Sequence, residues 1–162
     1  MNTVKTGNIF KLIISIIACE CAGLIGSVFT TSAISTWYAS LQKPFFTPPN
    51  WLFAPVWVTL YLLMGIAAFL IWRRGLDNRQ VKAALMIFTI QLILNILWSV
   101  AFFGLQSPLC GLIVIILLWV AILVTILRFA RISSVAAWVM VPYIIWVSLA
   151  TALNASVWVL NP

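Results

Sequence analysis

The sequence predicts an all-α integral membrane protein. It forms a single domain of five membrane-spanning helices joined by short connections, the first of them rich in tryptophan and proline. Three observations predict this. Of 162 residues, 65% are hydrophobic and 7% charged, with a mean hydropathy of +1.19. A soluble domain carries about 25% charged residues, so there is too little polar surface to clothe a water-soluble globule. Five stretches reach the roughly 20 apolar residues a helix needs to cross the hydrocarbon core, and none shows the alternation of a barrel strand. The basic residues, finally, gather on one side of the resulting topology.

The first span covers about residues 9–34. Lys11 followed by an apolar run, with Ile16-Ile17-Ala18-Cys19, has some likeness to a lipoprotein signal. The apolar stretch, however, continues past Cys19 to Phe29, longer than a signal core, and predicts an uncleaved helix. At 100° per residue, Cys19, Glu20, Gly23, Gly26, Ser27, Thr30 and Thr31 share one arc of this helix. Cys19 and Cys21 point to different sides, so a disulfide between them is not expected, and small-residue packing accounts for them. Glu20 is the one acid inside a span, about half-way along, with no Lys or Arg at its depth; it is expected to be neutral and hydrogen-bonded.

The run from Trp37 to Trp57, WYASLQKPFFTPPNWLFAPVW, holds three of nine tryptophans and four of seven prolines. Lys43-Pro44 and Pro48-Pro49 interrupt regular helix and stiffen the loop. Trp37 and Trp51 suit a membrane–water interface, and Pro55 suits the first turn of the next helix. The second span, about 54–72, places Trp57, Tyr61, Met64, Ala68 and Trp72 on one side. The third, about 81–105, groups Gln91, Asn95, Trp98, Ser99 and Phe102; in the fourth, about 109–129, Trp119 and Thr125 stand alone among aliphatic residues. In the fifth, about 136–159, Tyr143, Trp146, Ala150 and Asn154 share a face just after Pro142.

Lys5 and Lys11, then Arg73, Arg74, Arg79 and Lys82, then Arg128 and Arg131, fall on one side of five spans; only Lys43 falls on the other. This bias predicts a cytoplasmic N-terminus in a bacterial inner membrane, with the Trp-rich loop and the C-terminus outside. The net charge of +7 is thus topological, and no nucleic-acid partner is expected. The absence of histidine removes the commonest metal ligand and proton shuttle, and no metal site is expected. Neither a hydrolase constellation nor a phosphate loop or dinucleotide fingerprint occurs.

Lipid cannot satisfy an amide, so Gln91, Asn95 and Asn154 should face the bundle interior. Each amide alone is explained by interhelical hydrogen bonding. Together, the four stripes suggest an internal pocket of flat rings with sparse polar groups.

The motif WYxxLxKPxxxPPxWxxxPVWxxLYxxMG, from Trp37 to Gly65, resembles the translocator protein family, also called tryptophan-rich sensory protein or peripheral-type benzodiazepine receptor. The likeness continues through Gln91-Leu92, Leu94-Asn95, Trp98, Phe102-Phe103-Gly104, Pro142-Tyr143, Trp146 and Leu153-Asn154, in order through the spans. The resemblance implies a bundle, commonly dimeric, whose first loop is a lid over a pocket for porphyrins and other flat hydrophobic ligands. It implies ligand contacts from Trp51, Trp57, Tyr61, Asn95, Trp98, Tyr143, Trp146, Ala150 and Asn154. Gly23, Gly26, Gly65 and Ala68 permit the close contacts of a homodimer. Phe46 stands where many members have Trp, and Ala155 and Val159 replace the Tyr and Arg of the animal cholesterol motif, which puts cholesterol transport in doubt.

The expected function is therefore a membrane receptor or carrier for porphyrins of the protoporphyrin IX type, requiring no cofactor. The alternative is light-dependent porphyrin breakdown, with Trp57 and Trp146 as the candidate reactive indoles. Alternating-access transport ranks below both, because no inverted repeat or pair of broken helices is evident.

Overall fold

The computed structural model describes residues 2–162, with side chains from residue 7 onward. The described residues are helical apart from the connections. The elements are α1 (Asn2–Ile34), α2 (Trp37–Ser40), α3 (Asn50–Trp72), α4 (Arg79–Ser99) continued by a π-helical turn (Val100–Gly104), α5 (Pro108–Ala130), α6 (Ser134–Val139) and α7 (Val141–Leu160). Five stretches are long and apolar enough to cross a membrane: Gly7–Ile34, Asn50–Trp72, Arg79–Gly104, Pro108–Ala130 and Ser134–Leu160.

Local chemistry accounts for most boundaries. Gly75, at φ +96°, ends the turn that closes α3 on its basic side. Asn78 caps α4 by accepting from the Gln80 amide at 2.8 Å; Ser107 and Ser133 cap α5 and α6 in the same way. Pro108 occupies the first turn of α5, where a missing N–H costs nothing.

Three boundaries differ from expectation. α3 begins at Asn50, so Pro55 lies inside it rather than in its first turn, and Trp51 belongs to the helix rather than to the loop. The early start is possible because Pro49 precedes the helix and its carbonyl accepts from the Leu52 amide at 3.0 Å. The last span is two helices, broken at Met140, because Pro142 offers no N–H to the preceding turn. α4 ends in a π turn, with the Leu105 amide donating to the Val100 carbonyl at 2.8 Å. That widened turn brings Ala101, Phe102 and Phe103 inside together.

α1 packs against α3 and α4, α4 against α5, α5 against α7, and α3 against α6 and α7, so the spans close into a ring in the order α1, α3, α6–α7, α5, α4. Glycines set the close approaches. A Cβ on Gly65 would lie 2.6 Å from the Ile16 Cα, and one on Gly26 would lie 3.0 Å from the Ser99 hydroxyl, so both serve packing within the chain. Ile9, Phe10, Ile13, Ile17, Leu24 and Val28 on α1 are exposed, as a lipid-facing surface requires.

The Trp/Pro-rich loop lies at the end of this ring where α1 and α7 finish and α3 begins. Asn161, just past α7, accepts from the Gln42 amide and donates to the Gln42 carbonyl, both at 3.0 Å. That reciprocal pair fastens the loop to the far end of the chain. At the loop's start Trp37 packs on Phe102, and Tyr38 on both Phe102 and Phe103.

Candidate functional site: an aromatic intramembrane cavity

A cavity of about 220 Å³ lies between the C-terminal half of α1 and the N-terminal half of α3, with α4 behind it and α2 above. α1 contributes the polar arc seen in the sequence apart from Cys19, which is buried: Glu20, Gly23, Gly26, Ser27, Thr30 and Thr31 all line it. Trp57 and Tyr61 from α3 and Asn95, Trp98 and Ser99 from α4 complete the wall, with Phe103 from the π turn. Ser27 and Thr31 on α1, with Asn50, Ala54 and Val58 on α3, are exposed, so the cavity opens sideways between these helices. Below it the helices close where Gly65 meets Ile16.

The rings form one connected surface. Trp57 stacks on Tyr61, centroids 5.7 Å apart and planes 30° apart, and lies 6.0 Å from Trp98. Trp98 stacks in turn on Phe102 at 5.9 Å. Gly23 lets the Tyr61 ring lie against α1, since a Cβ there would come within 2.5 Å of it.

The amides behind the rings are tied into the scaffold. The Tyr61 hydroxyl donates to Asn95 Oδ1, and Asn95 Nδ2 donates to the Tyr143 hydroxyl at 2.8 Å, joining α3, α4 and α7. Trp98 Nε1 donates to Asn154 Oδ1 at 3.2 Å, and Asn154 Nδ2 donates to the Pro108 carbonyl at 2.7 Å, joining α4, α7 and α5. Gln91 sits one turn from Asn95, fully buried; its Nε2 approaches Met64 Sδ at 3.9 Å, and its Oε1 has no partner among the described residues.

Of the nine residues the resemblance implies, Trp57, Tyr61, Asn95 and Trp98 line this cavity. Tyr143, Ala150 and Asn154 are buried behind it. Trp146 packs against Phe53, a lining residue, with its Nε1 buried and unpaired among the described residues. Trp51 is 72% exposed at the start of α3 and faces away. Glu20, expected to be hydrogen-bonded, has no such partner among the described residues, because its one-turn neighbours Gly23 and Leu24 offer no side-chain donor. Tyr38, Phe53 and Phe103 escaped the helical-wheel reading: Tyr38 lies in a four-residue helix, Phe53 in helix read as loop, and Phe103 in the π turn.

One cation stands beside α2. Lys43 Nζ lies 4.9 Å from the centroid of the Tyr38 ring and donates to the Leu41 carbonyl at 3.1 Å and the Ala39 carbonyl at 3.3 Å. Burial raises the Tyr38 phenol above its ordinary pKa, so it stays neutral beneath that cation. The three cysteines are free, and among the described residues no cluster of His, Cys, Asp or Glu is placed to hold a metal.

The fold and this cavity define a multi-pass membrane protein with a ring-lined chamber inside its bundle. The chain belongs to the TspO/MBR family, whose profile matches residues 15–159. It is 48% identical over 155 residues to the tryptophan-rich protein TspO of Archaeoglobus fulgidus, covering 95% of this chain and 99% of that one. It is 36% identical over 135 residues to the human translocator protein, covering 83% and 80%. Against the tryptophan-rich sensory protein of Cereibacter sphaeroides it is 34% identical over 139 residues, covering 84% and 85%.

Proposed function

We propose that this protein is a membrane receptor or carrier for porphyrins of the protoporphyrin IX type and related flat hydrophobic ligands. The observation that carries the reading is the continuous ring surface of Trp57, Tyr61 and Trp98, open sideways between α1 and α3. Flat π systems gain about 0.5–1.5 kcal/mol per aromatic contact beyond area burial, and a lateral mouth admits a ligand dissolved in lipid. With Asn95 and Trp98 bonded inside the scaffold, binding rests on stacking more than on the amides. The chamber is smaller than the roughly 300–1,000 Å³ of most ligand pockets, so a tetrapyrrole must part α1 from α3 or project through the mouth. In this reading Tyr143, Trp146, Ala150 and Asn154 act through the walls, Trp146 by backing Phe53, and Trp51 makes no contact with the chamber. The charge bias supports an inner-membrane orientation with a cytoplasmic N-terminus.

Titration of the purified protein with protoporphyrin IX tests this. Saturable quenching of tryptophan fluorescence is expected, weakened several-fold in Trp57→Phe. Unsaturable quenching, the same in both proteins, rules the reading out. Contact of Trp57 with both Tyr61 and Trp98 also favours electron exchange with an excited porphyrin, so the titration is run in light and in darkness. A product that forms only in light with dioxygen, and more slowly in Trp57→Phe, supports the degradative alternative.

A further inference from the structure

The polar groups of the chamber differ in whether they are free. Asn95 uses both amide atoms inside the protein, Tyr61 donates to Asn95, and Trp98 donates to Asn154. The Ser27 and Thr30 hydroxyls donate to carbonyls of their own helix, those of Leu24 at 2.7 Å and Gly26 at 3.1 Å. Thr31 and Ser99 make no side-chain hydrogen bond among the described residues, and neither does Glu20, but Glu20 differs from both in being able to carry a charge. It is the only acid lining the chamber, and among the described residues it has neither an ion pair nor a hydrogen bond. It stands midway along Gly7–Ile34, too deep for a lipid headgroup to reach. One turn further on, Gly23 holds the Tyr61 ring against α1, and Trp57 and Trp98 extend the same aromatic wall.

A carboxyl group lining the same cavity as the aromatic rings of Trp57, Tyr61 and Trp98, at the depth of the hydrocarbon core, is an arrangement suited to an organic cation. The rings attract it through their quadrupoles, and Glu20, held protonated by its depth while unpaired, gives its proton to solvent and neutralises the cation. The geometry points to a ligand class for this chamber: flat apolar molecules carrying a cationic nitrogen, the apolar body on Trp57 and Trp98 and the nitrogen beside Glu20. This rests on reading the chamber as a ligand site, and it names a chemistry that stacking alone does not select. Cys19, Cys21 and Tyr61 stand near Glu20, and none of them carries a positive charge to compete for it.

The test uses a matched pair, naphthylmethyl-trimethylammonium and its uncharged neopentylnaphthalene isostere. Calorimetric titration in phosphatidylcholine nanodiscs compares them on wild-type protein, Glu20→Gln and Glu20→Asp. The permanent charge removes ligand protonation as a variable. Wild type should prefer the ammonium by about tenfold or more, Glu20→Asp should keep part of that preference, and Glu20→Gln should lose it. Equal binding of the pair by wild type, or an unchanged preference in Glu20→Gln, overturns the inference. Wild-type binding decides alone should a variant fail to fold. Protoporphyrin quenching on the same samples separates the two readings. Saturable quenching without ammonium preference overturns this inference only; ammonium preference without quenching supports it and removes the porphyrin reading.

Discussion

At the scale of single residues, the same side chains build the scaffold and the chamber. Asn95 shows this most clearly, bridging Tyr61 and Tyr143 while its neighbour Trp98 faces the cavity. Interhelical hydrogen bonds in membranes average about 0.6 kcal/mol and reach about 1.7, so the Asn95–Tyr143 bond should be modest by itself. Tyr143→Phe is expected to cost about 1 kcal/mol in wild type and close to nothing in an Asn95→Leu background. Unfolding in mixed detergent micelles gives both values; equal costs in the two backgrounds would show that the bond carries no coupling. The amide at position 95 was legible as inward-facing, because lipid cannot satisfy it. Its partners were not, because Tyr61 and Tyr143 lie 34 and 48 residues away and meet it only through helix packing.

At the scale of elements, the first loop is held by few contacts. α2 rests on Phe102 and Phe103 through Trp37 and Tyr38, and the chain beyond it is pinned by the Gln42–Asn161 pair. Phe45, at the tip, is fully exposed. Asn161→Ala removes both bonds of the pair and should speed amide exchange across residues 41–49 while leaving the exchange of α4 and α5 unchanged. Slow exchange in the loop of that variant would mean that the prolines alone hold it. The prolines announced a stiff connection, and so much was readable locally. The start of α3 at Asn50 was not, since Pro55 resembles a first-turn residue and only the turn from Pro49 carries the helix back past it. The π turn was likewise hidden: Val100–Gly104 has no distinctive composition, and Gly104 acquires meaning only where Phe29 of α1 comes within 3.0 Å of its would-be Cβ.

At the scale of the whole molecule, five spans make an odd number, so the two ends of the chain fall on opposite sides of the membrane. Single cysteines placed at Phe45 and at Gln80, in a background without Cys19, Cys21 and Cys110, test the proposed orientation. A membrane-impermeant maleimide added to intact cells should label position 45 and spare position 80; the reverse pattern would invert the topology. Composition, span length and the sidedness of basic residues determined, without any structure, that this chain is a five-span helical membrane protein. Hydrocarbon demands internally bonded backbone and admits few charges, and those constraints act on every residue in turn. The polar arc of α1, from Glu20 to Thr31, was visible for the same local reason. Tertiary structure alone decided the ring order of the helices, the engagement of Asn95 and Asn154 within the scaffold, and the isolation of Glu20 in the chamber. Each depends on which faces meet across the bundle, and helix periodicity says which face turns inward but not what it meets.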